Sequence, residues 1–249
     1  MKAAAILADL DERIAALRDP ATAAIRGVRR EVSRALGAEP SALVLAIADD
    51  LIERDVGYDR FIAYELVAAH PGAMGALGPG RLRQLGRGMD SWNDVDVFAC
   101  YVAGPAWRSG RVTNDEIAQW ARSNNRWWRR TAVVCTVALN NKARGGSGDA
   151  ARTVALCTMV VEDRDEMVVK ALSWALRELG KREPDVVEQF IEAREESLAP
   201  RVVREVRTKL RSGIKSPRPR KSSVRARSSI AKTAGDESAR TLEREETES

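Results

Sequence analysis

The chain has 249 residues, 44% of them hydrophobic and 31% charged, with a net charge of +5. That length allows one or two domains with a sizeable core. No apolar run approaches the roughly 20 residues that span a bilayer, and Asp9 and Asp11 interrupt the N-terminal stretch before a signal-peptide core can build up. A cytoplasmic protein is expected.

Cys100, Cys135 and Cys157 lack CxxC spacing and sit in apolar contexts, and His70 is the single histidine. Four clustered zinc ligands are hard to assemble from this set. Buried free thiols are the expectation for the cysteines. With His70 read as lying inside an Ala-rich helix, Ser–His or Cys–His catalysis is improbable. Neither a metal nor a cofactor is expected.

Helical spacing begins at the N-terminus. Ile6, Leu10, Ile14 and Leu17 form one stripe, Ile25, Val28, Val32 and Leu36 a second, and Leu43, Ile47, Leu51 and Ile52 a third. Period-two alternation is scarce, so the chain reads as all-α. Pro20, Pro40, Pro71, Pro79, Pro184 and Pro200 fall near helix starts, and Gly37, Gly57, Gly104, Gly110, Gly180 and Gly213 near ends.

The segment Met89-Asp-Ser-Trp-Asn-Asp-Val-Asp-Val-Phe98 comes next. On a helix, Trp92 and Asp96 stand at i and i+4 and share a face, while Asp94 points roughly to the other side. A carboxylate beside an indole favours a cation. An Asp near a helix start is also commonly a cap or a solvated charge.

Thr113-Asn-Asp-Glu116 has the pattern of a capping box and predicts a helix to about Ser123. From there the chain reads as helix pairs: 113–123 with 125–142, 148–162 with 165–181, and 184–195 with 199–212. The spacing of roughly 35 residues per pair suits stacked helical repeats. Such repeats bury a continuous core and leave a concave surface.

Ser123-Asn-Asn-Arg-Trp-Trp-Arg-Arg-Thr-Ala132 opens the second of these helices with Arg126, Arg129 and Arg130 interleaved with Trp127 and Trp128. Arginine neutralises phosphates and aromatic planes pack on sugars or bases. Cations at a helix N-terminus oppose the macrodipole, which suggests an external partner. In Val168–Lys181, the residues Val169, Leu172, Leu176 and Leu179 mark the packed side. Trp174 falls off that stripe, either lining a groove or packing on a second face. Trp107 and Trp120 read as packing residues.

From Arg211 to Lys232 there are eight Lys/Arg and no acid, followed by an acidic end from Glu243 to Glu248. Residues 214–249 are expected to form a disordered tail, basic and then acidic, that adds nonspecific DNA affinity. The helical repeat domain is then residues 1–213.

Three segments, in order, resemble the AlkD-type DNA alkylation repair family, DNA glycosylases built from HEAT-like repeats. They are Trp92-Asn-Asp-Val-Asp96, Trp127-Trp-Arg-Arg130 followed by Thr-Ala, and Lys170-Ala-Leu-Ser-Trp174-Ala-Leu-Arg-Glu. Pro184-Asp-Val-Val187 continues the match, and coverage runs from about residue 85 to 212. Residues 1–80 match only in helical character.

The resemblance implies a right-handed solenoid of HEAT-like repeats, an α-α superhelix whose concave face binds duplex DNA containing alkylated bases. It implies that Asp96 is the catalytic carboxylate, that Trp92 and Trp174 flank the lesion, and that Arg130 holds a backbone phosphate. Arg126, Arg129 and Trp127 join the DNA contacts. The activity implied is excision of cationic N3- or N7-alkylated purines without strand cleavage, by a monomer associated with the nucleoid. The alternative is a non-catalytic helical module that binds DNA or protein.

Overall fold

A computed structural model describes residues 2–19 and 21–214. The expectations for Pro20 and for the basic and acidic tail lie outside the described residues, apart from Ile214. Among the described residues the secondary structure is helical throughout, as the periodicity predicts, and no helix is long and apolar enough to cross a membrane.

The helices are α1 (Lys2–Ala15), α2 (Thr22–Leu36), α3 (Ser41–Arg54), α4 (Asp59–Ala69), α5 (Pro71–Gly75), α6 (Pro79–Leu85) and α7 (Trp92–Phe98). A π-helical segment, Ala99–Ala103, joins α7 to α8 (Gly104–Arg108). Then come α9 (Asn114–Ala121), α10 (Arg126–Asn140), a 3₁₀ turn (Lys142–Arg144), α11 (Ala150–Met159), α12 (Glu166–Leu179), α13 (Pro184–Glu192) and α14 (Pro200–Ser212).

Two layers form a helical repeat solenoid. In one row α2 packs on α4, α4 on α7 and the π segment, these on α10, α10 on α12, and α12 on α14. The partner layer packs α1 against α2, α3 against α4, α9 and α11 against α10, and α13 against α12 and α14. The predicted pairs are α9 with α10, α11 with α12, and α13 with α14, and the same pairing extends back to α1 with α2 and α3 with α4. The packed stripes explain the order. Ile25, Val28, Val32 and Leu36 are buried on α2, and Val44, Ile47, Leu51 and Ile52 on α3. The three cysteines are buried free thiols, and Trp107 and Trp120 are buried as expected.

Local chemistry sets the helix ends. Thr113 Oγ1 accepts from the Glu116 amide at 3.3 Å, but the Glu116 carboxylate turns to Arg83 at 2.9 Å instead of closing the capping box. Two expectations need correction. His70 is not inside a helix: Pro71 disfavours helical geometry in the residue before it, and His70 sits extended between α4 and α5. Its Nδ1 accepts from the Ala73 amide at 2.9 Å, which leaves Nε2–H to donate to the Glu39 carbonyl at 3.0 Å. Gly104 does not end a helix either. It begins α8 directly from the π segment, and its amide bonds Ala99 O, five residues back.

Pro105 accounts for part of that irregularity, because it has no N–H to continue the α-helical ladder. Close packing accounts for the glycine. A Cβ on Gly104 would lie 2.6 Å from Ala138 Cβ, 2.6 Å from Ala99 O and 2.9 Å from Cys135 O. The α7–α8 stem therefore approaches α10 backbone to backbone. The far end of α10 is held from both neighbours: Arg108 donates to Ala138 O at 2.5 Å, and Arg182 to Asn140 O at 2.8 Å. These guanidinium groups satisfy carbonyls that a helix C-terminus leaves unpaired, and their charge suits the macrodipole.

Replacing Gly104 with Ala should force the stem and α10 apart at a cost of about 1–3 kcal/mol. Urea unfolding of the variant beside the parent measures this, and an unchanged midpoint would show that the close approach is not required.

Candidate active site

The segment that begins α7 is shaped by Ser91. Its Oγ accepts from the Asp94 amide at 3.2 Å and donates to Asp94 Oδ2 at 2.7 Å. Asp94 is thereby committed to the cap. Trp92 is the first residue of α7 and stands 56% exposed, an unusual position for an indole. One turn on, Asp96 shares its face and is largely withdrawn from solvent, 18% exposed.

Asp96 meets Arg130 from α10. Arg130 Nε donates to Oδ1 at 2.9 Å and Nη2 to Oδ2 at 2.8 Å. The fork is planar and bidentate, the geometry in which arginine and carboxylate bind most strongly. Arg130 Nη1 continues to the carbonyl of Met167 in the first turn of α12, at 2.6 Å. One buried side chain thus joins α7, α10 and α12. Burial raises the Asp96 pKa above the ordinary carboxylate value, and the hydrogen bonds and charge of Arg130 oppose that rise.

The arginines at the start of α10 have partners within the protein. Arg129 Nε donates to Asp163 at 2.6 Å and its Nη1 to the carbonyls of Ser123 and Asn124. Arg126 lies 3.6 Å from Asp165 and stacks over the Trp127 ring at 4.7 Å. Asn125 caps the helix, accepting from the Trp127 amide at 2.8 Å. The expectation that opposing the macrodipole signals an external partner is therefore corrected. Asp96, Asp163 and Asp165 from neighbouring elements supply the negative charge that the first turn of α10 lacks. Arg130, expected on a phosphate, is buried on Asp96. Of the three, Arg126 is the exposed one, at 51%.

Trp174 lies on α12, half-buried against the core. Lys170 and Arg177 share its side of the helix by spacing. Next to it Ser173 is fully buried and donates to Glu205 Oε2 on α14 at 2.7 Å, while Arg201 bonds Oε1 at 2.8 Å. The structure therefore brings Asp96 and Arg130 into contact and sets Trp92 and Trp174 on two of the three helices that Arg130 ties. Arg129 is a structural tie. A separate cleft of about 420 Å³ is lined by Asp11, Ile14, Arg54, Tyr58 and Ile62 and includes none of these residues.

Sequence reasoning missed two groups. Arg26 and Arg29 of α2 converge on the buried carboxylate of Glu65 at 3.0 and 2.7 Å, and Arg30 and Arg34 stand exposed nearby on the same helix. Their spacing, opposite the Ile25/Val28/Val32 stripe, was the available signal. Arg144 and Tyr101, whose ring lies 4.6 Å beneath the guanidinium, left no sequence signature.

Arg130→Ala should strand a desolvated carboxylate and cost about 3 kcal/mol, as when one member of a buried pair is removed. Arg130→Met combined with Asp96→Leu should recover most of it. Equilibrium unfolding of the set tests this, and a double variant as weak as the single would refute it.

A family model described as DNA alkylation repair enzyme matches residues 18–210. No curated protein and no solved structure matches the chain. The matched span runs from before α2 almost to the end of α14 and contains every residue of the site just described, so the chain belongs to the DNA alkylation repair enzyme family.

Proposed function

We propose that this protein is a DNA glycosylase that excises cationic N3- or N7-alkylated purines from duplex DNA. One observation carries the reading: a largely desolvated carboxylate, Asp96, is held in a fixed orientation by a bidentate arginine beside an exposed indole, Trp92.

The chemistry asks for little else. Alkylation at N3 or N7 gives the purine a full positive charge. When the N-glycosidic bond breaks, its electron pair neutralises that charge, and the base leaves without protonation by the protein. Positive charge then builds at C1′ and the ring oxygen of the sugar. A carboxylate has about four lone-pair sites; Arg130 takes two, and two remain for the developing cation and for water. Water attacks C1′ and gives up its proton to Asp96 and then to solvent. Preorganised charge of this kind contributes to rate because it needs no reorganisation during the reaction.

Trp92 and Trp174 form the recognition walls. Each indole face favours a cation over a neutral base by about 0.5–2 kcal/mol. Arg126 and Trp127 contact the DNA backbone from the open end of α10. Arg130 takes the part of orienting the carboxylate instead of anchoring a phosphate. No lysine is placed for Schiff-base chemistry in this scheme, so strand cleavage is not expected.

The experiment is single-turnover release of 7-methylguanine from duplex DNA. Asp96→Asn should slow it at least a hundredfold, within the range found when a preorganised electrostatic group is lost. The same variant should lose some stability, because Arg130 then faces a neutral amide, so folding is checked by thermal melt. In the parent, activity should fall as pH drops through the Asp96 ionisation. Burial places that limb above the ordinary carboxylate value. Undiminished release from folded Asp96→Asn protein contradicts the mechanism.

A second reading draws on the same pair. Both oxygens of Asp96 accept from Arg130, as in a purely structural ion pair. A non-catalytic DNA-binding scaffold would bind duplex with strong salt dependence and release no base.

A further inference from the structure

Tyr101 lies in the π-helical segment that follows Asp96 on the same helical stem. A π segment inserts an extra residue into a turn, redirects the side chains after it, and is frequent at functional sites. Here the Tyr101 ring is half-buried and carries the Arg144 guanidinium at 4.6 Å.

Arg144 is held at its backbone as well as on the ring. Its amide donates to Asn141 Oδ1 at 3.2 Å, and its carbonyl accepts from Arg108 Nη1 at 3.0 Å. The 3₁₀ turn is fixed, and the side chain runs back along α10 towards α7. At its end, Nη1 is buried with no hydrogen-bond acceptor. A buried guanidinium nitrogen without a partner is costly, so the charge needs compensation from the field around it.

The charged and titratable groups facing this region identify that field. The α7 stem contributes Asp96 and Cys100, with Asp94 turned away onto Ser91. Burial pushes the Cys100 thiol up to about 12, so it is neutral at physiological pH. Helix α10 contributes Arg130, already engaged on Asp96. Helix α12 contributes Glu178, which is paired with Lys181 at 2.8 Å. The anion left for Arg144 is the Asp96 carboxylate, and the charge of Arg144 acts on it.

We propose that Arg144, seated on Tyr101, is a positioning residue for Asp96: a second guanidinium that supports the carboxylate from the side opposite its fork with Arg130. Arg130 fixes the direction of the carboxylate, and Arg144 supplies charge without occupying its oxygens. The two lone-pair sites needed for chemistry stay open while the group remains an anion. The inference rests on the glycosylase reading for its purpose, but not for its test.

The test is the titration of the Asp96 carboxyl carbon, followed by NMR in protein carrying ¹³C-labelled aspartate. Arg144→Gln should shift the Asp96 titration upward, and Arg144→Lys should return it towards the parent. Tyr101→Leu, which removes the seat and leaves the charge, should shift it in the same direction as Arg144→Gln. In the excision assay, Arg144→Gln should move the acid limb up in parallel and leave DNA affinity unchanged. An Asp96 titration that is unmoved in Arg144→Gln, or a shift that Arg144→Lys fails to restore, would overturn the proposal. If the parent releases no base, the glycosylase reading fails while the Asp96 titration still decides the role of Arg144.

Discussion

The guanidinium of Arg130 is the point on which the rest of the site depends. It donates twice to Asp96 on α7 and once to the Met167 carbonyl on α12, while its own backbone belongs to α10. Three neighbouring repeats are thereby keyed to one planar group. Trp92 rides on the first and Trp174 on the third, so the spacing between the two indoles follows from the bonds that Arg130 makes. Lysine could not replace it, because a single ammonium has no fork to fix the carboxylate plane.

The backbone makes this contact possible. Gly104 lets the α7–α8 stem touch α10 without a side chain between them. Pro105 and the π segment absorb the extra residue in that stem. Arg108 and Arg182 lock the opposite end of α10 against its two neighbours. Because α10 is buried from Arg130 to Asn140, it has no freedom to tilt, and the fork at its start inherits that rigidity. The protein holds a carboxylate in place by packing a helix tightly, which suits a chemistry whose demand is electrostatic preorganisation.

Much of this was legible in the sequence, for identifiable reasons. Helix pairs from Thr113 onward could be read because their ends carry local chemistry: a threonine cap, Pro184, Pro200 and Gly213. Trp92 and Asp96 could be placed on one face because four residues make one turn. What could not be read involves contacts between distant residues. Asp96 and Arg130 are 34 positions apart, and no periodicity announces which arginine of three will turn inward. The same limit explains why the arginines of α10 looked like an external binding motif when Asp163 and Asp165 already neutralise two of them. The π segment was invisible because its i→i−5 bonds arise from packing against α10. His70 is different: Pro71 was there to be read, and it ends the helix before the histidine.

The central claim is that a fixed carboxylate and indole walls act on a purine that is already positively charged. The most direct measurement compares single-turnover release of 7-methylguanine with that of hypoxanthine, a neutral base, from otherwise identical duplexes. The account predicts measurable release of the charged base and no release of the neutral one above the spontaneous rate. Equal rates for the two would contradict it, because the site would then be supplying the leaving-group protonation that no residue around Asp96 is placed to give.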